Sequence, residues 1–114
     1  MNSPNRDYEI AYHDDPPGAT LRGVLRLASP TAYDEAFASL RRRMELANQF
    51  TIDIAEVPFM NSAGIMSLSR LVLMARSEKK TLTCVIAENV PWQIKTIGSL
   101  QKLYPQLELR RRRA

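Results

Sequence analysis

Residues 51–69 read TIDIAEVPFMNSAGIMSLS, and this stretch decides the fold. Its first four residues alternate polar and apolar side chains and include β-branched residues, which is typical of a half-buried strand. Pro58 lacks a backbone donor and therefore ends the regular strand. From Ile65 onward the apolar residues have helical spacing. The stretch predicts a strand, a tight turn at residues 61–64, and a helix over residues 62–78.

The turn Asn61-Ser62-Ala63-Gly64 places Ser62 near the N-terminus of that helix. Backbone N–H groups at a helix N-terminus have no partner inside the helix, and the helix dipole is positive there. Such a position favours a hydrogen-bond acceptor or an anion. Two interpretations of Ser62 follow: it caps the helix, or it is a functional residue.

Length and composition restrict the class of protein. A chain of 114 residues with 45% hydrophobic and 25% charged residues predicts one globular domain with a real core. It has no apolar run long enough to span a membrane and no apolar N-terminal segment typical of a secretory signal. Cys84, the single cysteine, fits a reducing cytoplasm. No Cys and His pattern indicates a metal site, and no cofactor is expected.

The net charge of +4 is local, because the four arginines at positions 110–113 account for all of it. A nucleic-acid interface usually spreads basic residues over one face with aromatic residues between them. We therefore expect residues 110–114 to be a solvated basic tail and residues 1–6 to be a disordered lead-in.

The remaining pattern predicts the order β-β-α-β-α-β-α-β. We expect an antiparallel hairpin with a longer loop at residues 13–18, a first helix opening at Ser29-Pro30, and a third helix whose buried side carries Ile94, Ile97, Leu100 and Leu103. Single helices between strands predict a single-domain α/β fold with a mixed, mostly parallel five-stranded sheet and about three helices. The predicted strands cover residues 8–12, 20–27, 50–54, 81–87 and 107–109.

The helix over residues 62–78 is apolar around most of its circumference. If Ile65, Leu68, Leu71, Val72 and Ala75 face the core, Met66, Leu73 and Met74 face outward, bordered by Ser69 and Arg70. Such a helix either is covered on both sides by the protein or meets a partner. We expect Met66, Ser69, Arg70 and Leu73 to form a partner-binding surface.

The order of elements, the length and the stretch IDIAEVPFMNSAGIMSLSRLV resemble a STAS domain of the bacterial anti-sigma factor antagonist type. Family members carry a strand, an Asp-Ser-Ser-Gly-like turn and an apolar helix. The resemblance implies that Ser62 is phosphorylated by a partner anti-sigma factor that is itself a serine kinase. It also implies that a metal-dependent serine phosphatase reverses this step. The unphosphorylated form would then bind the kinase and free a sigma factor, or work an analogous partner switch.

Two features depart from the family pattern. Asn61 stands where the family usually has Asp, so the charge that would polarise the serine or help a metal is missing. The chain also ends shortly after Leu109, where family members commonly add a C-terminal helix.

Two other functions fit the same residues. One is a constitutive STAS subunit of a transport complex, and the other is a small nucleotide-binding domain that uses the loops at the strand ends. No G-x-S-x-G nucleophile turn or G-x-x-x-x-G-K phosphate loop occurs, and His13 lies in a Pro-Pro-Gly turn. The sequence therefore favours a non-enzymatic, protein-binding regulator.

Overall fold

The computed structural model describes residues 7–112. The expected lead-in at residues 1–6 lies outside that range, as do residues 113 and 114. In the described range the chain forms a five-stranded sheet and four helices, which confirms the mixed α/β fold expected from the sequence. The elements are β1 Tyr8–Asp14, β2 Pro17–Gly23, α1 Pro30–Ala36, α2 Ala38–Leu46, β3 Gln49–Glu56, α3 Ser62–Ser77, β4 Thr81–Ala87, α4 Pro91–Leu103 and β5 Glu108–Arg112.

The strands lie in the sheet in chain order. β1 is antiparallel to β2, whereas β2, β3, β4 and β5 are parallel neighbours. Each parallel crossover moves to the next strand in the same direction, so right-handed connections place all the helices on one face of the sheet. The main core lies between that face and the helices, and includes Leu21, Ile52, Ile86, Leu40, Leu68 and Ile97.

The β1–β2 hairpin is tighter than the sequence predicts. His13 and Gly18 are paired in the ladder, so Asp15 and Pro16 alone connect the two strands, through a cis peptide bond. Gly23 ends β2 with φ of 90°, and a Cβ there would lie 2.2 Å from the carbonyl oxygen of Asp7. The backbone therefore requires glycine at this position.

The predicted first helix is two helices, which explains why there are four helices rather than three. The break falls at Phe37, whose φ of −97° and ψ of 8° interrupt the helical backbone. The buried Phe37 ring meets the ring of Tyr33 edge to face, with 5.5 Å between centroids. Both segments keep the same apolar side toward the core, so the periodicity of the sequence does not reveal the break.

The buried side of α4 differs from the one expected. Ile97 and Leu100 are buried, but Ile94 and Leu103 are 41% and 43% exposed. At about 100° per residue, positions nine apart lie on opposite sides of a helix, so Ile94 and Leu103 cannot share one face. Gln93 is fully buried instead, although it is polar.

Three residues of the expected solvated tail, Arg110 to Arg112, are the end of a strand, although their side chains are exposed. β5 extends to Arg112, and its last three residues pair with the end of β4. Arg112 reaches across the face without helices, where its guanidinium contacts Asp53 Oδ2 at 3.1 Å and Glu56 Oε2 at 2.9 Å. The same face holds a second, small apolar cluster of Ala55, Val85 and Ala87.

Candidate functional site

Asn61 is the residue that caps α3. Its Oδ1 accepts a hydrogen bond from the backbone N–H of Gly64 at 3.0 Å and another from the hydroxyl of Tyr33 at 2.7 Å. Its Nδ2 donates to the carbonyl oxygen of Leu27 at 2.9 Å. Because the Gly64 N–H can only donate and the Leu27 carbonyl can only accept, these partners fix the orientation of the amide. An asparagine uses both ends of its side chain here, and aspartate has no donor for Leu27.

The buried side chain of Tyr33 holds the turn in place through its hydroxyl. It is fully buried, and burial raises the pKa of its hydroxyl, so the group stays protonated at neutral pH and donates to Asn61. The same hydroxyl oxygen accepts from the Leu27 backbone N–H at 3.2 Å. A Cβ on Gly64 would lie 2.7 Å from this oxygen and 2.6 Å from Met60 Cγ, so glycine is required in the turn for close packing.

The loop between β3 and the turn is held from two sides. Met60 bridges Leu25 in parallel, with Leu25 N donating to the Phe59 carbonyl and Asn61 N donating to the Leu25 carbonyl. On the other side, the carbonyl of Val57 accepts from Trp92 Nε1. These contacts fix the path of the chain into α3.

Ser62 is the first residue of α3, and its side chain is exposed. The hydroxyl makes no hydrogen bond within the part of the chain that the structure describes. The interpretation of Ser62 as the helix cap is therefore wrong, because the Asn61 side chain makes the capping hydrogen bond. Ser62 is left with a solvent-facing hydroxyl beside the positive end of a helix of 16 residues.

A line of exposed residues, two of them apolar, continues along α3 from Ser62. We name Met66, Arg70 and Leu73 the outer stripe, since residues four and seven apart lie on one side of a helix. Met66 is 52% exposed and Leu73 is 39% exposed, as expected from the sequence. The exposed Arg70 guanidinium lies 3.8 Å from the carboxylate of Asp34.

Three neighbouring residues contribute less to the outer surface of α3 than the outer stripe does. Ser69 is half-buried and donates its hydroxyl to the Ile65 carbonyl of its own helix at 2.8 Å. Met74, which the sequence places outward, is half-buried and packs against the core. Ala63 of the turn also packs against the core, so the exposed groups of this surface are Ser62 and the outer stripe.

Phe59 is an exposed apolar residue that the sequence pattern does not single out. Its side chain is 49% exposed, while the next residue, Met60, is buried. Phe59 lies three positions before Ser62 in the chain, at the same end of α3. The only signal in the sequence is an aromatic residue between Pro58 and a buried methionine, and a loop has no periodicity that shows which way such a residue points.

Two other side chains that could take part in chemistry, those of Cys84 and His13, lie in the sheet. Burial raises the pKa of the Cys84 thiol to about 12, so this cysteine is a core residue rather than a nucleophile. His13 Nε2 lies 2.9 Å from the Thr20 hydroxyl on the sheet. Among residues 7–112, no three His, Cys, Asp or Glu side chains group as metal ligands, and no helix is long and apolar enough to cross a membrane.

The chain was compared with known proteins. Neither the protein-family models nor the curated proteins gave a match. The geometry of the turn and of the outer stripe therefore carries the functional argument.

Proposed function

We propose that this protein is a cytoplasmic, non-enzymatic partner-switching regulator, a STAS-like domain of the anti-sigma factor antagonist type. Phosphorylation of Ser62 controls its binding to an anti-sigma factor that is a serine kinase, and a serine phosphatase restores the binding form. The observation that carries this proposal is that two adjacent residues of the turn, Asn61 and Ser62, have different roles. Asn61 holds the helix, while the adjacent Ser62 hydroxyl is exposed and makes no hydrogen bond within residues 7–112.

A phosphate on Ser62 is compatible with the fold. It adds about −1.5 to −2 charges at neutral pH. At a helix N-terminus the dipole interacts favourably with negative charge, by about 0.3–1 kcal/mol. Because the hydroxyl is exposed and no core contact depends on it, modification changes the surface and leaves the core intact.

The effect of the phosphate falls on the partner. Met66 follows Ser62 by about one helical turn on the same side of α3, and Leu73 lies two turns beyond Met66. A partner that buries the outer stripe meets the phosphate at the edge of the contact. It must then remove water from a group with nearly two negative charges, which opposes binding.

Asn61 has a structural role in this proposal. Its three hydrogen bonds keep the turn in place, and its neutral amide is not a base that could take the proton of the Ser62 hydroxyl. The kinase partner must therefore supply the base and any metal that the phosphoryl transfer needs.

The first test is chemical. Protein isolated from its native cells is digested and analysed by mass spectrometry for phosphate on Ser62. Ser62→Ala should stay folded, because it removes no hydrogen bond, and should bind the kinase persistently. Phosphate confined to other residues, or a Ser62→Ala variant that the kinase releases like the wild type, contradicts the proposal.

The second test concerns the outer stripe. Met66→Lys/Leu73→Lys should remain folded, since both side chains are exposed, and should lose kinase binding in isothermal titration calorimetry. Leu46→Lys/Leu103→Lys is the matched control, because it also replaces two exposed apolar residues by lysine but outside α3. Equal loss of binding in both variants would show that the stripe has no special role.

A further inference from the structure

A groove runs between the α1–α2 segment and α3, on the side of α3 that carries Arg70. It encloses about 330 Å³, which is at the lower end of the size of small-molecule sites. Its lining combines apolar and charged side chains: Tyr33, Phe37, Leu71, Met74, Ser67, Asp34, Arg41 and Arg70.

The floor of the groove contains one polar group without a partner. Ser67 is only 5% exposed, and its Oγ makes no hydrogen bond within the described part of the chain. A buried hydroxyl that has lost water and gained no partner destabilises the fold. Tyr33 also lines the groove, and its hydroxyl already bonds to Asn61 and Leu27, whereas the Ser67 hydroxyl has no partner among residues 7–112.

The rim of the groove is positively charged. The exposed Arg41 makes no ion pair among residues 7–112. Among the described residues Arg70 pairs with Asp34 alone, at 3.8 Å, and the side chains of the two residues are 57% and 50% accessible. Such an exposed pair is weak and exchanges easily. Two arginines and one aspartate leave the rim with one excess positive charge.

We propose that this groove binds a small organic anion, a molecule with a flat or short apolar body and one carboxylate or phosphate group. The anionic group pairs with the guanidinium groups of Arg41 and Arg70, which favour planar, bidentate contacts with carboxylate and phosphate. The apolar body lies against Phe37, Leu71 and Met74, and a polar atom of the ligand satisfies the Ser67 hydroxyl. This site is separate from Ser62 and does not depend on the proposed function.

The test uses two anionic probes, phenyl phosphate and benzoate, in a titration followed by ¹H–¹⁵N NMR of the ¹⁵N-labelled protein. Benzyl alcohol provides the apolar body without charge, and inorganic phosphate provides the charge without the apolar body. At least one anionic probe should give saturable shifts at residues 34–41 and 67–74, with an affinity at least tenfold above both controls. The stronger of the two probes identifies the preferred anionic group.

Variants distinguish binding in the groove from a general attraction of anions to the basic surface. Arg41→Gln/Arg70→Gln should weaken the better probe at least tenfold, and Arg42→Gln/Arg76→Gln, with the same loss of charge at exposed positions, should not. Ser67→Ala should weaken binding at least threefold and raise the thermal midpoint, since it removes an unpaired buried hydroxyl. Preserved dispersion of the NMR spectrum checks the fold of each variant.

The opposite results overturn the proposal. Equal binding of benzyl alcohol would show that charge has no role, and equal binding of inorganic phosphate would show that the apolar walls have none. Shifts centred elsewhere, or equal weakening by the two arginine pairs, would show that the anion is attracted to the surface and not held in the groove.

Discussion

Gln93→Glu tests the buried polar contact that joins α4 to the ends of β3 and β4. Gln93 is fully buried, and its Nε2 donates to the carbonyl oxygens of Ile54 at 2.7 Å and Val57 at 2.9 Å. Its Oε1 accepts from the backbone N–H of Ala87 at 2.7 Å. Glutamate has nearly the same shape but no donor when ionised, so its second oxygen would face two carbonyl oxygens.

We expect the variant to lose about 3–5 kcal/mol of unfolding free energy at pH 7. Each lost hydrogen bond removes about 0.5–1.5 kcal/mol, and leaving buried polar groups unpaired costs about 1–3 kcal/mol more. The whole stability of a domain is about 5–15 kcal/mol, so the loss is a large fraction of it. The loop that leads into the Ser62 turn depends on Val57, which ties this packing defect to the candidate site.

The loss of unfolding free energy in Gln93→Glu should increase as the pH rises. Burial among carbonyl oxygens raises the pKa of the new carboxyl in the folded state above its unfolded value of about 4.3. Below about pH 4 the group is protonated in both states and can still donate one hydrogen bond, so the defect is smallest. As pH rises above that value, the unfolded state releases the proton first, and relative stability falls by up to about 1.4 kcal/mol per pH unit.

Urea unfolding measures this difference, and the fluorescence of Trp92, the single tryptophan, reports on the adjacent structure. Gln106→Glu is the matched control, because that glutamine is exposed and makes no side-chain hydrogen bond within residues 7–112. A loss below about 1 kcal/mol at pH 7, or a loss equal to that of the control, would refute the argument that the Gln93 amide holds these ends together.

Three further expectations follow from particular contacts. Truncation after Leu109 should lower the midpoint of thermal unfolding by about 10 °C in circular dichroism, because it removes three of the five residue pairs between β5 and β4 and the Arg112 ion pairs; an unchanged midpoint would restore the solvated-tail interpretation. Gly98→Ala should stabilise by about 0.5–1 kcal/mol in urea unfolding, since the position is inside α4 and an added Cβ meets nothing within 4 Å. Asn61→Asp should destabilise by about 1–2 kcal/mol, because the Leu27 carbonyl loses its donor; the exposed Asn89→Asp is the control, and equal stability of the two would contradict the described role of the amide.

Much of the fold can be predicted from the sequence because strong local patterns decide it. The predicted bounds of β4 agree with the structure, and those of α3 agree to within one residue. The pattern does not reveal the break at Phe37. A continuous helix and two shorter helices would bury the same apolar residues, so the spacing of these residues is the same in both cases. The pattern also fails at β5, where charge dominates the composition and pairing with β4 decides the structure.

The candidate site was partly predictable for the same reason. Helical spacing alone places Met66 and Leu73 outward from the core, and the structure agrees. Whether Asn61 or Ser62 caps α3 depends on the position of the buried Tyr33 hydroxyl and the Leu27 carbonyl, which come from a distant part of the chain. Sequence spacing contains no information about these partners.

The sequence by itself determined the order of the strands, most of the apolar residues that line the core, and the exposed residues Met66 and Leu73 on α3. These properties follow from periodicity, since 3.6 residues per turn and alternation in strands decide which side chains share a face. Only the tertiary structure decided which polar groups are satisfied. Asn61, Gln93 and Arg112 each bond to an atom 34 to 59 positions away in the chain, while the Ser62 and Ser67 hydroxyls are left without hydrogen bonds in the described range. Such long-range partners are brought together by the packing of the whole domain, which local patterns do not encode.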